Sequence, residues 1–240
     1  MHCSTARFRF GETMAQTQLT WYGQSGFKIV TPSGKTLLID PWLTNPVFEK
    51  GKDTLAALKD VDLILLSHGH SDHVGNTVEI GKKTGAKLVA NFDLSGAVTS
   101  VLGYPSEQAE SDTTGHIGGQ LILLNGELTV CFVPAWHGSS VRKNENSAPV
   151  YSGMPTGLVI CIRNGPTIYH TGDTGFFSDI ARVSDYNKID IFQRGQLVFA
   201  FFENWICQPW VDQERFSDRS NNFETGLPIR HCFTKTKRGG

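Results

Sequence analysis

Seven residues, Ser67 to His73 (SHGHSDH), hold three histidines and an aspartate directly after the apolar run VDLILL. An apolar run this short suits a buried central strand. The chain must therefore leave that strand with four strong metal-ligand side chains crowded on one turn. His68 and His70 are two residues apart, and alternate side chains of an extended segment point to the same side. Both imidazoles can face one ion. Asp72 and His73 follow where the chain turns into a helix and can hold a second ion. Nitrogen and carboxylate donors without thiolate fit Zn²⁺, Mn²⁺ or Fe²⁺. Ser67 and Gly69 are small, which lets the loop pack tightly beneath the ion.

A site made from one loop is open and weak, so further ligands belong at other strand ends. VPAWHGSS puts His137 at the end of the run LTVCFVPAW, and IYHTGDT puts Asp173 just after TIYH. Both positions match that of the cluster, at the C-terminal lip of a strand. Asp173 in its Thr-Gly-Asp-Thr turn can bridge two ions. Asp40 ends KTLLID and is placed either to hydrogen-bond the ligand loop or to cap the strand. His170 reads as a core histidine or as a group that supports the ligand loop from behind, and His116 and His2 read as exposed ones.

The order of elements gives the architecture. QLTWYGQSGFKIV and KTLLID flank TPSG as a hairpin. TLAALKD is a short helix. NTVEIGKKTG, AKLVAN and FDLSGAVTSVLG follow the cluster as helix, strand and helix, an α/β rhythm. Two hairpins come next, turning at NG in QLILLNGELTV and at RNGP in TGLVICIRNGPTIYH. Residues 1–13 are expected to be an extension outside the fold, residues 14–192 the domain, and residues 193–240 a divergent tail. In that tail only QLVFAFF reads as a strand.

Several function classes are disfavoured by composition. The chain has 240 residues, a formal charge of -1 and 19% charged residues. That balance leaves no electrostatic footprint for nucleic acid. No apolar run approaches the 18 or so residues a spanning helix needs, and the N-terminus lacks a signal-peptide core. A cytoplasmic protein acting on a small molecule is expected, with homo-oligomerisation left open. The five cysteines are scattered with no C-x-x-C pair, so they are expected to be reduced thiols.

The assembled residues resemble the metallo-β-lactamase superfamily, whose H-x-H-x-D-H signature stands here as His68-Gly69-His70-Ser71-Asp72-His73. Asp40, His137 and Asp173 come in the superfamily's order. LTWYGQSGFKI, LLIDPWLTNP, ILLSHGHSDHVGNTVEI, VPAWHGSS and IYHTGDTGFFSDI look like its UPF0173 branch of metal-dependent hydrolases. The resemblance covers about residues 17–191. It implies a four-layer αβ/βα sandwich with two divalent ions, zinc first and manganese or iron after it. By the same resemblance His68, His70 and His137 hold one ion, Asp72 and His73 the other, and Asp173 bridges. The family's last histidine ligand has only His231, in LPIRHCF, as a loose counterpart. The pattern stops near Gln193, as a shifted reading frame would make it, so the C-terminal part of the fold is expected to be atypical or incomplete.

The implied chemistry is hydrolysis of an ester, lactone, amide or phosphodiester by a metal-activated water, with Asp72 or Asp173 orienting it or moving its proton. Two rivals stand beside it. One is iron-dependent redox chemistry in the same superfamily. The other is a vestigial metal-binding protein, suggested by the unusual tail.

Overall fold

A computed structural model describes residues 5–8, 17–194 and 197–200. In chain order, its first strands are β1 (Thr5–Phe8), β2 (Thr17–Trp21), β3 (Phe27–Val30) and β4 (Thr36–Ile39). They are followed by α1 (Gly51–Ala57), β5 (Leu63–Leu65), α2 (Ser71–Val74), α3 (Thr77–Thr84), β6 (Lys87–Asn91), α4 (Phe92–Leu102) and β7 (Thr114–Gly115). The second half contains β8 (Gln120–Leu123), β9 (Leu128–Pro134), β10 (Ser140–Val141), β11 (Val150–Tyr151), β12 (Thr156–Ile162) and β13 (Thr167–His170). After these come α5 (Asp179–Asn187), β14 (Ile191–Arg194) and β15 (Leu197–Ala200).

One sheet runs β1 to β7 in sequence order, and the second runs β15-β14-β13-β12-β9-β8. Between their facing sides lies a shared core. Phe27, Ile29, Leu37, Ile39, Leu63 and Leu65 of the first sheet pack with Leu128, Val130, Phe132, Leu158, Ile160 and Ile168 of the second. The alternation of strand side chains sends the next residues outward. On the outer side of the first sheet, Leu38, Ile64, Leu88 and Ala90 pack against Leu55 of α1, Ile80 of α3 and Leu94 and Val98 of α4. Outside the second sheet, Val159, Tyr169 and Phe192 meet Ile180 and Val183 of α5. Helix, sheet, sheet and helix make the four layers expected, an αβ/βα sandwich.

The helices end as their sequences dictate. Asn91 caps α4, its side chain accepting from the Leu94 N–H at 2.9 Å, and Gly103 closes the helix at φ +77. Gly85 ends α3 at φ +76. Glycine accepts this left-handed conformation with little steric cost.

Two expectations need correction. QLTWYGQSGFKIV is two strands rather than one, because Gly23 and Gln24 take φ of +89 and +49 and fold β3 back on β2. Within the segment read as an extension outside the fold, Thr5–Phe8 pair antiparallel with Thr17–Thr20 and add an edge strand to the first sheet. The QLVFAFF expectation is met in part by β15, paired antiparallel with β14. The remainder of the 193–240 tail, with His231, lies outside the described residues. Among the described residues no helix is long and apolar enough to cross a membrane. Cys131 and Cys161, the two described cysteines, are free.

Candidate metal centre

Strand β5 ends at Leu65, and the chain passes through the buried Leu66, Ser67 and His68 before α2 starts at Ser71. Side chains thus leave the first sheet at its C-terminal edge. The facing sheet delivers His137 three residues beyond β9 and Asp173 three residues beyond β13. Two hydrogen bonds join these last two turns: Trp136 N–H donates to Thr174 Oγ1 at 2.8 Å, and Gly175 N–H to the Trp136 carbonyl at 2.9 Å. The sheets are also tied at the site, where Thr156 N–H and Oγ1 both donate to the Ser67 carbonyl, at 2.9 and 3.0 Å.

Four imidazoles converge at this edge. Ring centroids lie 4.0 Å apart for His68 and His73, 4.6 Å for His68 and His70, 5.0 Å for His70 and His137, and 5.1 Å for His68 and His137. His68 Nε2 and His70 Nδ1 are 3.1 Å apart. Asp173 faces the group from the other sheet, with Oδ1 3.4 Å from His73 Nε2 and Oδ2 3.8 Å from His137 Nε2. Two sets of donors gather closely enough to share an ion: His68, His70 and His137, and His68, His73 and Asp173, each with its ligand atoms within 4.8 Å. Asp72 stands at the margin, outside both sets, its Oδ2 3.7 Å from His73 Nε2. The donor chemistry suits borderline divalent ions, with imidazole and carboxylate groups and no thiolate.

Beneath the imidazoles lies Asp40. It is fully buried, at φ +42 just past β4. Its Oδ1 accepts from Ser67 N–H at 2.9 Å, and its Oδ2 from Ser67 Oγ at 2.6 Å. The same Oδ2 lies 2.7 Å from His73 Nδ1 and 2.9 Å from His170 Nε2. One carboxylate therefore fixes His73 so that its Nε2 faces outward, and locks the ligand loop to the neighbouring sheet through His170. Sequence reading left His170 either a core histidine or a support for the ligand loop, and the structure places it fully buried beside Asp40. Its link to Asp40 spans two sheets, and no local pattern encodes it.

Burial, acting alone, would keep Asp40 protonated, but His73 and His170 outweigh it and hold the carboxyl well below the usual carboxylate range. Burial also opposes charge on His73, yet Asp40 and Asp173 overcome it and raise the imidazole to about 10. His68 goes the other way, lowered to about 3 by burial first and by the charge on His73 second. It is a neutral imidazole, with a lone pair on one ring nitrogen, across the physiological range. His70 is lowered by burial and by neighbouring His137. Asp173 is lowered, chiefly by its hydrogen bond with His73.

Small residues make the packing feasible. A Cβ on Gly69 would lie 2.3 Å from Ser152 Oγ, and one on Gly172, at φ +57, would lie 2.7 Å from Ser67 Cβ. Ser139 Oγ accepts from Gly69 N–H at 3.2 Å and contacts Ser152 Oγ at 2.8 Å, so it braces the His68–His70 turn from the second half of the chain.

A four-layer αβ/βα sandwich with a histidine–aspartate cluster where the two sheets meet is the architecture of the metallo-β-lactamase superfamily. The family model described as "Beta-lactamase superfamily domain" matches residues 35–192. A UPF0173 metal-dependent hydrolase of Thermodesulfovibrio yellowstonii is 53% identical over 176 residues, covering 73% of this chain and 66% of that protein. Another, from Anaeromyxobacter dehalogenans strain 2CP-1, is 43% identical over 178 residues, covering 73% of this chain and 63% of its own. Among solved structures, Igni18, a metallo hydrolase from the archaeon Ignicoccus hospitalis, aligns with a TM-score of 0.58 at 28% identity, over 73% of this chain and 69% of that one. The chain belongs to the UPF0173 family of the metallo-β-lactamase superfamily. It spans just under two thirds of the length of the two curated relatives, 66% and 63%.

Proposed function

We propose that the protein is a metal-dependent hydrolase of a small molecule, cleaving an ester, lactone, amide or phosphodiester bond, in the cytoplasm. The observation that carries this reading is the convergence of two ligand sets on His68, one completed by His70 and His137 and the other by His73 and Asp173. In this reading the first set holds one divalent ion. His73 with Asp72 would hold the second, and Asp173, which faces both His73 and His137, would serve either. Zinc is the ion the donor set suits best. Such ions supply Lewis acidity and lower the pKa of a nearby water towards about 7.

The chain's own groups do the rest. Asp40 keeps His73 oriented through Nδ1, and neutral His68 offers a lone pair at any pH near 7. Asp72, about half exposed at the margin of the cluster, would accept a proton from the attacking water at the carboxylate oxygen turned away from His73 and return it to the leaving oxygen or nitrogen. The water oxygen bonds to the acyl carbon or phosphorus, the bond to the leaving group breaks, and the proton goes with that group. Named relatives described as metal-dependent hydrolases support this reading.

Elemental analysis of the purified full chain, followed by a panel of lactones, phosphodiesters, thioesters and amides, tests it. Two zinc or manganese ions with turnover that a chelator abolishes is the expected result. Iron with no hydrolysis would favour the redox alternative. One ion or none, with no turnover on metal addition, would favour a vestigial metal-binding protein.

A further inference from the structure

Beside the metal-binding cluster lies a cavity of about 460 Å³, lined in part by His70 and Asp72. That volume is in the range of small-molecule sites. Its walls differ in character. Val78 of α3 and Leu102 of α4 supply apolar surface, and Arg142 and Lys143, just past β10, supply two positive charges. Asp72 is the one acidic side chain among the described lining residues, and it belongs to the cluster itself.

Neither cation is engaged with a carboxylate among the described residues. Arg142 Nη1 donates to the Ser147 carbonyl at 3.0 Å, which orients the guanidinium and leaves its other N–H groups available. Both residues are exposed. The chain as a whole carries a formal charge of -1, so two adjacent cations on the wall of this cavity are a local feature rather than a reflection of general basicity. A planar guanidinium matches a carboxylate or phosphate with paired hydrogen bonds, and an adjacent ammonium adds a point charge.

We propose that the cavity binds a small organic anion, with Arg142 and Lys143 holding its carboxylate or phosphate group. A short apolar spacer would lie against Val78 and Leu102, and the bond to be cleaved would face His70 and Asp72. This deepens the hydrolytic reading and rests on it for the reaction, though not for the binding. The bound anionic group is unchanged by the reaction. It selects the substrate and sets its register.

Calorimetric titration of the metal-loaded full chain with glutarate and with ethyl phosphate tests the binding, and separates a carboxylate from a phosphate preference. The double variant R142A/K143A, altered at exposed positions, is titrated in parallel with its metal content measured. Binding of at least one anion by the wild type, weakened tenfold or more in the variant at equal metal content, is the expected result. Equal binding by both proteins would mean that the ions alone hold the anion, and it overturns the proposal. No binding by the wild type overturns it too. Turnover of 4-nitrophenyl butyrate and of mono-4-nitrophenyl glutarate is then compared. The variant is expected to raise KM for the anionic ester tenfold or more and to leave the neutral ester within about twofold. Turnover of neither ester, with the anion-binding loss intact, counts against the hydrolytic reading and leaves the anion site standing.

Discussion

The carboxylate of Asp40 lies 2.7 Å from Nδ1 of His73, and both side chains are shut off from solvent. This contact joins the end of β4 to the ligand turn after β5, and it determines which nitrogen of His73 is left to face an ion. Replacing Asp40 with asparagine keeps the volume and removes the charge. Outer groups of this kind typically contribute 10- to 100-fold in metal affinity. Asp40→Asn is expected to weaken the ion that His73 holds by about that factor in chelator competition. The metal-free variant should also melt earlier, because His73 and His170 lose their shared partner. Unchanged affinity would show that Asp40 does not set the imidazole.

Metal loading should release a proton. In the metal-free protein His73 is raised to about 10, so it is charged at neutral pH, whereas an ion needs the neutral imidazole. Affinity at this ion is expected to rise about tenfold per pH unit between roughly pH 7 and 9. Calorimetry in buffers of differing ionisation enthalpy should find one proton released, and His73→Gln should abolish it. A flat affinity profile would contradict the Asp40–His73 charge pair. The sign for stability follows from the same shift. The stabilisation from charged His73 is complete below its ordinary value of 6.5 and is lost as pH rises through about 10. The metal-free fold should weaken over that window.

His70→Ala removes a proposed ligand without removing a core residue, since His70 is only partly buried. The variant is expected to keep its circular dichroism spectrum and an unfolding free energy within about 1 kcal/mol of the parent. It should lose one bound ion and its metal-dependent turnover. Full activity at the parent's metal content would remove His70 from the ligand set.

Gly172 and Gly85 form a matched pair. Both have positive φ, +57 and +76, but a Cβ at Gly172 meets Ser67 and one at Gly85 meets nothing within 4 Å. Alanine at Gly85 should cost about 1 kcal/mol, the backbone penalty alone. At Gly172 a crowding cost of about 1–3 kcal/mol is added, and Ser67 is pushed against Asp40 and the ligand turn. Denaturant unfolding of the two variants, with metal content, separates strain from crowding. Equal losses would show that the turn yields.

The ligand turn was legible because its chemistry is packed into consecutive residues. His137 and Asp173 were legible as candidates because each directly follows a recognisable strand, and the layered architecture was legible because strand and helix periods differ. Other features had no local signal. The β2–β3 turn contains Gln24 at positive φ, a conformation that its side chain does not announce. His170 looks like any apolar-strand histidine until Asp40, 130 positions away, comes within 2.9 Å. Arg142 and Lys143 sit in a polar loop of ordinary composition, and they line a cavity only because α3 and α4 form its other wall. Such features belong to long-range packing, which one-dimensional patterns do not carry.

The two ligand sets also bear on folding. His68, His70 and His73 follow β5 of one sheet, while His137 and Asp173 follow β9 and β13 of the other, so neither half of the sandwich holds a complete set. An ion bound across that seam acts as a clasp. It would tie together chain segments about 70 positions apart in one set and about 100 in the other, and the free energy of loading would in part be the free energy of docking one sheet on the other. A chelator should then loosen the seam as well as empty the site.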